Sequence, residues 1–150
     1  MSNLKTISFS ILIDSSRETV WDVLWNHKTY PKWTNAFCAG NYYEGTLEQG
    51  ATIKFLKSDG EGMTSYIQKL VDNEHIAFIH QAGLENGIEK DFEWQGAREI
   101  YNFKKETDAC TELQVIVDVS PEMEQYFNNT FPKALQLVKQ MAEERALPSV

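Results

Sequence analysis

The sequence predicts an α+β domain: a curved antiparallel sheet of about six or seven strands wrapped around a long, Pro-kinked C-terminal helix. Three observations carry this. Residues 11–33 read as a strand, a capped amphipathic helix and an aromatic elbow. Residues 41–119 then read almost entirely as strands and turns, and one long amphipathic helix closes the chain. Strands in succession with no helices between them favour an antiparallel meander over any βαβ scheme.

The first strand, 4–14, alternates: Ile7, Phe9, Ile11 and Ile13 share one face, and Thr6, Ser8 and Ser10 the other, as a half-buried strand requires. Ser15-Ser16-Arg17-Glu18 fits a capping box, with hydroxyl and carboxylate satisfying free backbone donors at a helix start. In the helix that follows, Val20, Trp21, Val23, Leu24 and Trp25 spread over roughly 200° of arc, about twice what one flat contact needs. This helix is therefore expected to touch both the sheet and another helix. Tyr30-Pro31 in the elbow forces the residue before proline out of helical geometry. A second short helix or turn there brings Trp25, Tyr30 and Trp33 together.

Residues 41–44 and 51–57 flank a loop containing Gly45 and Gly50. Ser58-Asp59-Gly60 is a hairpin signal leading into 62–71, and Asp72-Asn73-Glu74 turns the chain into 75–81. Residues 97–106 and 110–119 form the last hairpin around Thr107-Asp108-Ala109, with Thr111, Leu113, Val115, Val117 and Val119 on one face. Residues 83–96, with Gly at 83, 87 and 96, are too long for a tight turn and read as a loop: either a solvated one or a flap over a cavity. Ser120-Pro121-Glu122 opens the final helix. Its stripe of Phe127, Phe131, Leu135, Val138 and Ala142 runs to about Glu144, and Pro132 must kink it or break it near Thr130.

At 150 residues, with no repeat, linker or low-complexity stretch, the chain is one domain. Its net charge of −8 argues against nucleic acid and anionic membranes as partners, since phosphate binding needs concentrated Lys and Arg. No apolar run reaches membrane-spanning length, and residues 1–6 carry no signal-peptide pattern, so a cytoplasmic location is expected. Cys38 and Cys110 are read as free thiols. His27, His75 and His80 lack metal-ligand spacing; no metal and no cofactor are expected.

Taken in order, VWDVLWNHKTYPKW (20–33), EGTLEQGATIKF (44–55), DGEGMTSYIQKLVDNEHIAFIH (59–80), WQGAREIYNF (94–103) and FPKALQLVKQMAEE (131–144) resemble the SRPBCC superfamily, the START-like or Bet v 1-like helix-grip fold. More narrowly, they resemble the branch related to the C-terminal domain of the activator of Hsp90 ATPase. The resemblance covers essentially the whole chain. It implies a space between sheet and helix of the kind that holds hydrophobic or amphipathic small molecules. It supplies no shared catalytic residue, and function does not follow from fold.

The residues expected at that space are mostly aromatic. Trp25, Trp33, Tyr66, Phe78 and Trp94 are placed facing the interior or its mouth, as are Tyr101, Phe127 and Phe131. Any one of them serves equally well as core filler; together they suit a pocket lined by rings with a few polar groups. The polar groups are His80, which follows Ile76 and Phe78 in alternation, and Glu99, which precedes Tyr101 and Phe103. If 75–81 pairs antiparallel with 97–106, these two side chains meet, and an inward carboxylate beside an imidazole is a proton-transfer pair. The leading expectation is non-catalytic binding of a small hydrophobic or amphipathic molecule. The alternatives are a cyclase- or hydrolase-type enzyme using His80 and Glu99, and an Hsp90-type co-chaperone or other interaction module. A homodimer is neither demanded nor excluded.

Overall fold

The computed structural model describes residues 3–146. The elements are β1 (Lys5–Ile13), α1 (Arg17–Trp25), α2 (Tyr30–Thr34), β2 (Tyr42–Glu44), β3 (Thr52–Leu56), β4 (Gly62–Val71), β5 (His75–Glu85), β6 (Ile88–Lys90), β7 (Arg98–Thr107), β8 (Cys110–Val119) and α3 (Glu124–Ala146). The main strands form one open, curved, antiparallel sheet in the order β1-β8-β7-β5-β4-β3-β2, and β6 pairs on β5. This is a helix-grip architecture: α3 lies against β1 and is met by α1 and α2. Among the described residues no helix is long and apolar enough to cross a membrane. Cys38 and Cys110 are both free.

The wide apolar arc of α1 is used as its width requires. Val20, Val23, Leu24 and Trp25 are buried, and the helix packs on α3 and α2 as well as on β7 and β8. Its cap lies one residue later than the sequence pattern implies. Ser16 is the N-cap, its Oγ accepting from the Thr19 amide at 3.3 Å, so Glu18 sits in the first turn as a dipole-matching acid and makes no capping box.

Two further expectations need correction. The first is segment 83–96, which is only partly a loop. β5 continues to Glu85, and Asn86 and Gly87, with φ of 53° and 77°, turn the chain tightly into β6. Positive φ at both central residues is what a two-residue hairpin turn asks for, and Asn-Gly supplies it at low cost. The remainder, 91–96, is tied back by the Gly96 amide, which donates to the His80 carbonyl at 2.8 Å. The second is α3, which is continuous from Glu124 to Ala146: of the kink or break expected at Pro132, the break near Thr130 does not occur. The carbonyl deprived of its donor by Pro132 belongs to Asn128, and both residues are exposed, so water can serve it. A short 3-10 turn, Pro121–Met123, precedes the helix.

Register fixes which strands face the helix. β5 and β7 are antiparallel with Phe78 opposite Glu99, as the sequence reading required. β4 and β5 place Ser65 opposite His80 and Ile67 opposite Phe78, with irregularities at Thr64/Ser65 and Ile67/Lys69. The core runs from Ile13, Val20 and Leu24 through Trp25, Phe78 and Tyr101 to Leu135 and Val138.

Candidate functional site

Between the sheet and α3, towards the end that α1 does not cover, lies a partly open pocket of about 340 Å³. Its walls are Tyr30, Trp33 and Thr34 from α2, Phe55 from β3, Met63 from β4, Val117 and Val119 from β8, and Phe127 and Phe131 from α3. Segment 91–96 adds Phe92 and Trp94 at the mouth. Trp94 and Phe127 stand with ring centroids 5.7 Å apart, and Phe127 and Phe131 5.8 Å apart. This is an aromatic wall drawn from both sides of the opening.

Into this wall the sheet inserts a chain of polar groups. Ser65 Oγ lies 2.6 Å from His80 Nδ1, and His80 Nε2 lies 3.3 Å from Glu99 Oε1. The Tyr101 hydroxyl donates to Glu99 Oε2 at 2.5 Å. Each link follows from strand pairing: β4 and β5 set Ser65 against His80, and β5 and β7 bring Glu99 alongside. Burial grades along the chain, from Ser65 at 0% and His80 at 3% exposed to the Glu99 side chain at 22%. The carboxylate is therefore the most exposed of these three groups at the pocket. Burial, with the Glu99 charge adding to it, pushes the Tyr101 and Tyr30 hydroxyls well above the ordinary tyrosine range, so both stay protonated.

A second polar cluster sits at the rim. Asp118 accepts from the Arg98 backbone amide at 3.0 Å, from Arg98 Nε at 2.8 Å and Nη2 at 3.1 Å, and from the Thr6 hydroxyl at 2.6 Å. Burial opposes ionisation of Asp118, but these hydrogen bonds outweigh it and hold the carboxyl below its usual range. The pair neutralises itself, which joins β1, β7 and β8 at the mouth.

Of the residues singled out from the sequence, Trp33, His80, Trp94 and Glu99 line the pocket, as do Tyr101, Phe127 and Phe131. Trp25 and Phe78 are buried one layer behind it, Trp25 against Tyr101 at 5.0 Å and against Phe78 at 5.4 Å. Tyr66 is displaced altogether: it pairs with Ile79, on the opposite parity to Phe78 and His80, and so faces away from α3. Sequence reasoning missed Ser65, Phe55, Phe37 and the Arg98–Asp118 rim. Phe55 shares parity with the fully buried Ile53, a signal that was available; Phe37 and Asn41 lie in irregular chain without periodicity. Among the described residues no group of three or more His, Cys, Asp or Glu is placed to hold a metal ion.

No protein-family model and no curated protein matches the sequence. Solved structures do share the fold. The chain is similar to the Aha1 dimer from Colwellia psychrerythraea (19% identity, TM-score 0.70, covering 93% of this chain and 96% of that one). It is also similar to protein MLL2253 from Mesorhizobium loti (10%, 0.68, 93% and 98%) and to CalU16 from Micromonospora echinospora (14%, 0.65, 93% and 76%). The first of these is of the branch to which the sequence motifs point. At such identities the likeness establishes the helix-grip fold and nothing finer.

Proposed function

We propose that the protein is a non-catalytic binding module that encloses one small apolar or amphipathic molecule between the sheet and α3. The observation that carries the reading is the pocket's composition: rings contributed by α2, β3, segment 91–96 and α3, with one carboxylate turned inward. Ligand sites are concave and mainly apolar, with few polar groups. A volume of about 340 Å³ is at the small end of the range for such sites and suits a body of one to three rings. Each 100 Å² of apolar ligand surface covered contributes about 2.5 kcal/mol.

A thermal-shift series across flavonoids, fatty acids, sterols and polyketide-like aromatics tests this. A ligand that binds only the native state raises the melting temperature with concentration, by an amount equivalent to about 2.7 kcal/mol at a hundred times its Kd. Flat melting curves across the whole series defeat the proposal.

The 3.3 Å approach of His80 to Glu99 supports a second reading, acid–base chemistry of the cyclase or hydrolase type. Glu99 would meet the substrate and His80 would hold and orient it from behind. His80→Gln should then abolish turnover of a probe such as an aryl ester while leaving the melting temperature within a few degrees. Unchanged turnover removes this reading and leaves the first intact.

A further inference from the structure

The hydrogen-bond inventory of the pocket is lopsided, and this bears on what the proposed binding site would take. Resting on that binding reading, we propose that the ligand is a cationic amine carried on an apolar or aromatic body, with its ammonium group on Glu99.

Most donors on the lining are already spent on protein acceptors. The Trp33 indole N–H donates to the Leu24 carbonyl at 2.9 Å, and the Thr34 hydroxyl to the Tyr30 carbonyl at 2.7 Å. The Asn41 amide donates to the Thr34 and Cys38 carbonyls at 3.1 and 3.0 Å. Arg98 is committed to Asp118, and Tyr101 to Glu99. Lys57 is half-exposed on the rim beside Asp59. Glu99 is the inward ionisable group with capacity left. An ionised carboxylate offers about four lone-pair positions, and its two oxygens meet one hydroxyl and one imidazole edge.

The fully buried Ser65 hydroxyl has His80 Nδ1 as its hydrogen-bond partner at 2.6 Å. With the ring proton on Nε2, the edge facing Glu99, Ser65 can donate to Nδ1. A doubly protonated ring would instead force Ser65 to accept, leaving a buried hydroxyl proton without a partner. The pocket therefore sets this carboxylate among Tyr30, Trp94 and Phe127. Aromatic faces and a carboxylate both attract a cation, whereas an anionic ligand would find no free inward cation among the described residues.

Isothermal titration with three probes sharing one bicyclic body tests this: tryptamine, tryptophol and indole-3-acetate. Tryptamine should bind roughly ten-fold or more tighter than tryptophol, the scale of one charge-assisted hydrogen bond, and indole-3-acetate weakest. Glu99→Gln should erase the amine's advantage over tryptophol, and Glu99→Asp should retain the preference. The surface variant Glu48→Gln should change nothing, which separates Glu99 from the overall net charge of −8. Equal or tighter binding of the alcohol or the acid overturns the inference, as does an amine preference that survives Glu99→Gln. If none of the three probes binds while other apolar molecules raise the melting temperature, the amine inference falls and the binding reading stands. If no apolar molecule binds at all, both fall.

Discussion

The aromatic layer between sheet and helix has two ends built from the same residue types, and they finish in different states. At the closed end Trp25 meets Tyr101, Phe78 and Trp33 edge-on, with ring centroids 5.0, 5.4 and 6.4 Å apart, and all four are buried. At the open end Trp94, Phe127 and Phe37 stand 5.7 and 6.0 Å apart and are only half-buried. The rings themselves do not account for the contrast; the covering element does. α1 delivers Trp25 into the closed end and fills it, while the open end is roofed by irregular chain at 35–41 and 91–96. Whether an aromatic cluster becomes core or pocket is decided by what lies over it.

The largest way to break that contrast is truncation. Trp25→Ala should cost about 3–5 kcal/mol in denaturant unfolding, because a closed site cannot collapse around so large a void. Trp94→Ala should cost about 1 kcal/mol or less while abolishing ligand-induced thermal shifts. Comparable costs for the two would mean that both ends are core. Next comes Gly62→Ala at the pocket wall. A Cβ there would sit 1.9 Å from the Phe55 carbonyl oxygen, so β3 and β4 must part, at about 1–3 kcal/mol by overpacking, read from thermal melts.

pH separates the ends more gently. Burial, and secondarily the Asp22 charge, push Tyr43 up to about 12 beside the Trp25 carbonyl that its hydroxyl bonds. A raised folded value means the stability is fully present below tyrosine's ordinary value near 10 and is lost as pH climbs through about 12. Unfolding curves should show an alkaline limb there, and Tyr43→Phe should flatten it. The rim behaves oppositely. Asp118 is held below the ordinary carboxyl value of 3.8, so its contribution is present above that value and is lost as pH falls through the lower folded one. Asp118→Asn should remove part of the acid limb and leave the alkaline limb alone. The smallest expected effect is Tyr66→Phe: within about 0.5 kcal/mol in stability, with thermal shifts unchanged, since this ring faces neither end.

Tyr66 also marks where the sequence stops being readable. Period-two alternation placed Ile7 to Ile13 and Thr111 to Val119 correctly, because β1 and β8 pair without irregularity. In β4 the register slips twice within five residues, and each bulge re-aims the side chains that follow. The sequence reading placed Tyr66 inside as an aromatic on an inward-facing segment, with no alternation to set it against, and overlooked Ser65. His80 and Glu99 were legible because their pairing lies on the regular stretch of β5 and β7. The Asn86-Gly87 turn was written plainly in the chain, but three glycines spread over 83–96 made one long loop look the simpler reading. The Phe37 wall has no such excuse to correct: irregular backbone has no period, so its inward side chains are fixed by tertiary packing alone.

The placement of β1 has a consequence during synthesis. It is an edge strand whose sole sheet neighbour among the described residues is β8, with Lys5 opposite Val119 and Ile13 opposite Thr111. Its partner leaves the ribosome about 100 residues later, a delay of roughly 5–20 s at ordinary elongation rates. The intervening strands form successive hairpins and can pair as they emerge, but Ile7, Phe9, Ile11 and Ile13 must wait. For that interval the nascent chain carries an unpaired apolar ribbon, so holding chaperones would be expected to engage this strand.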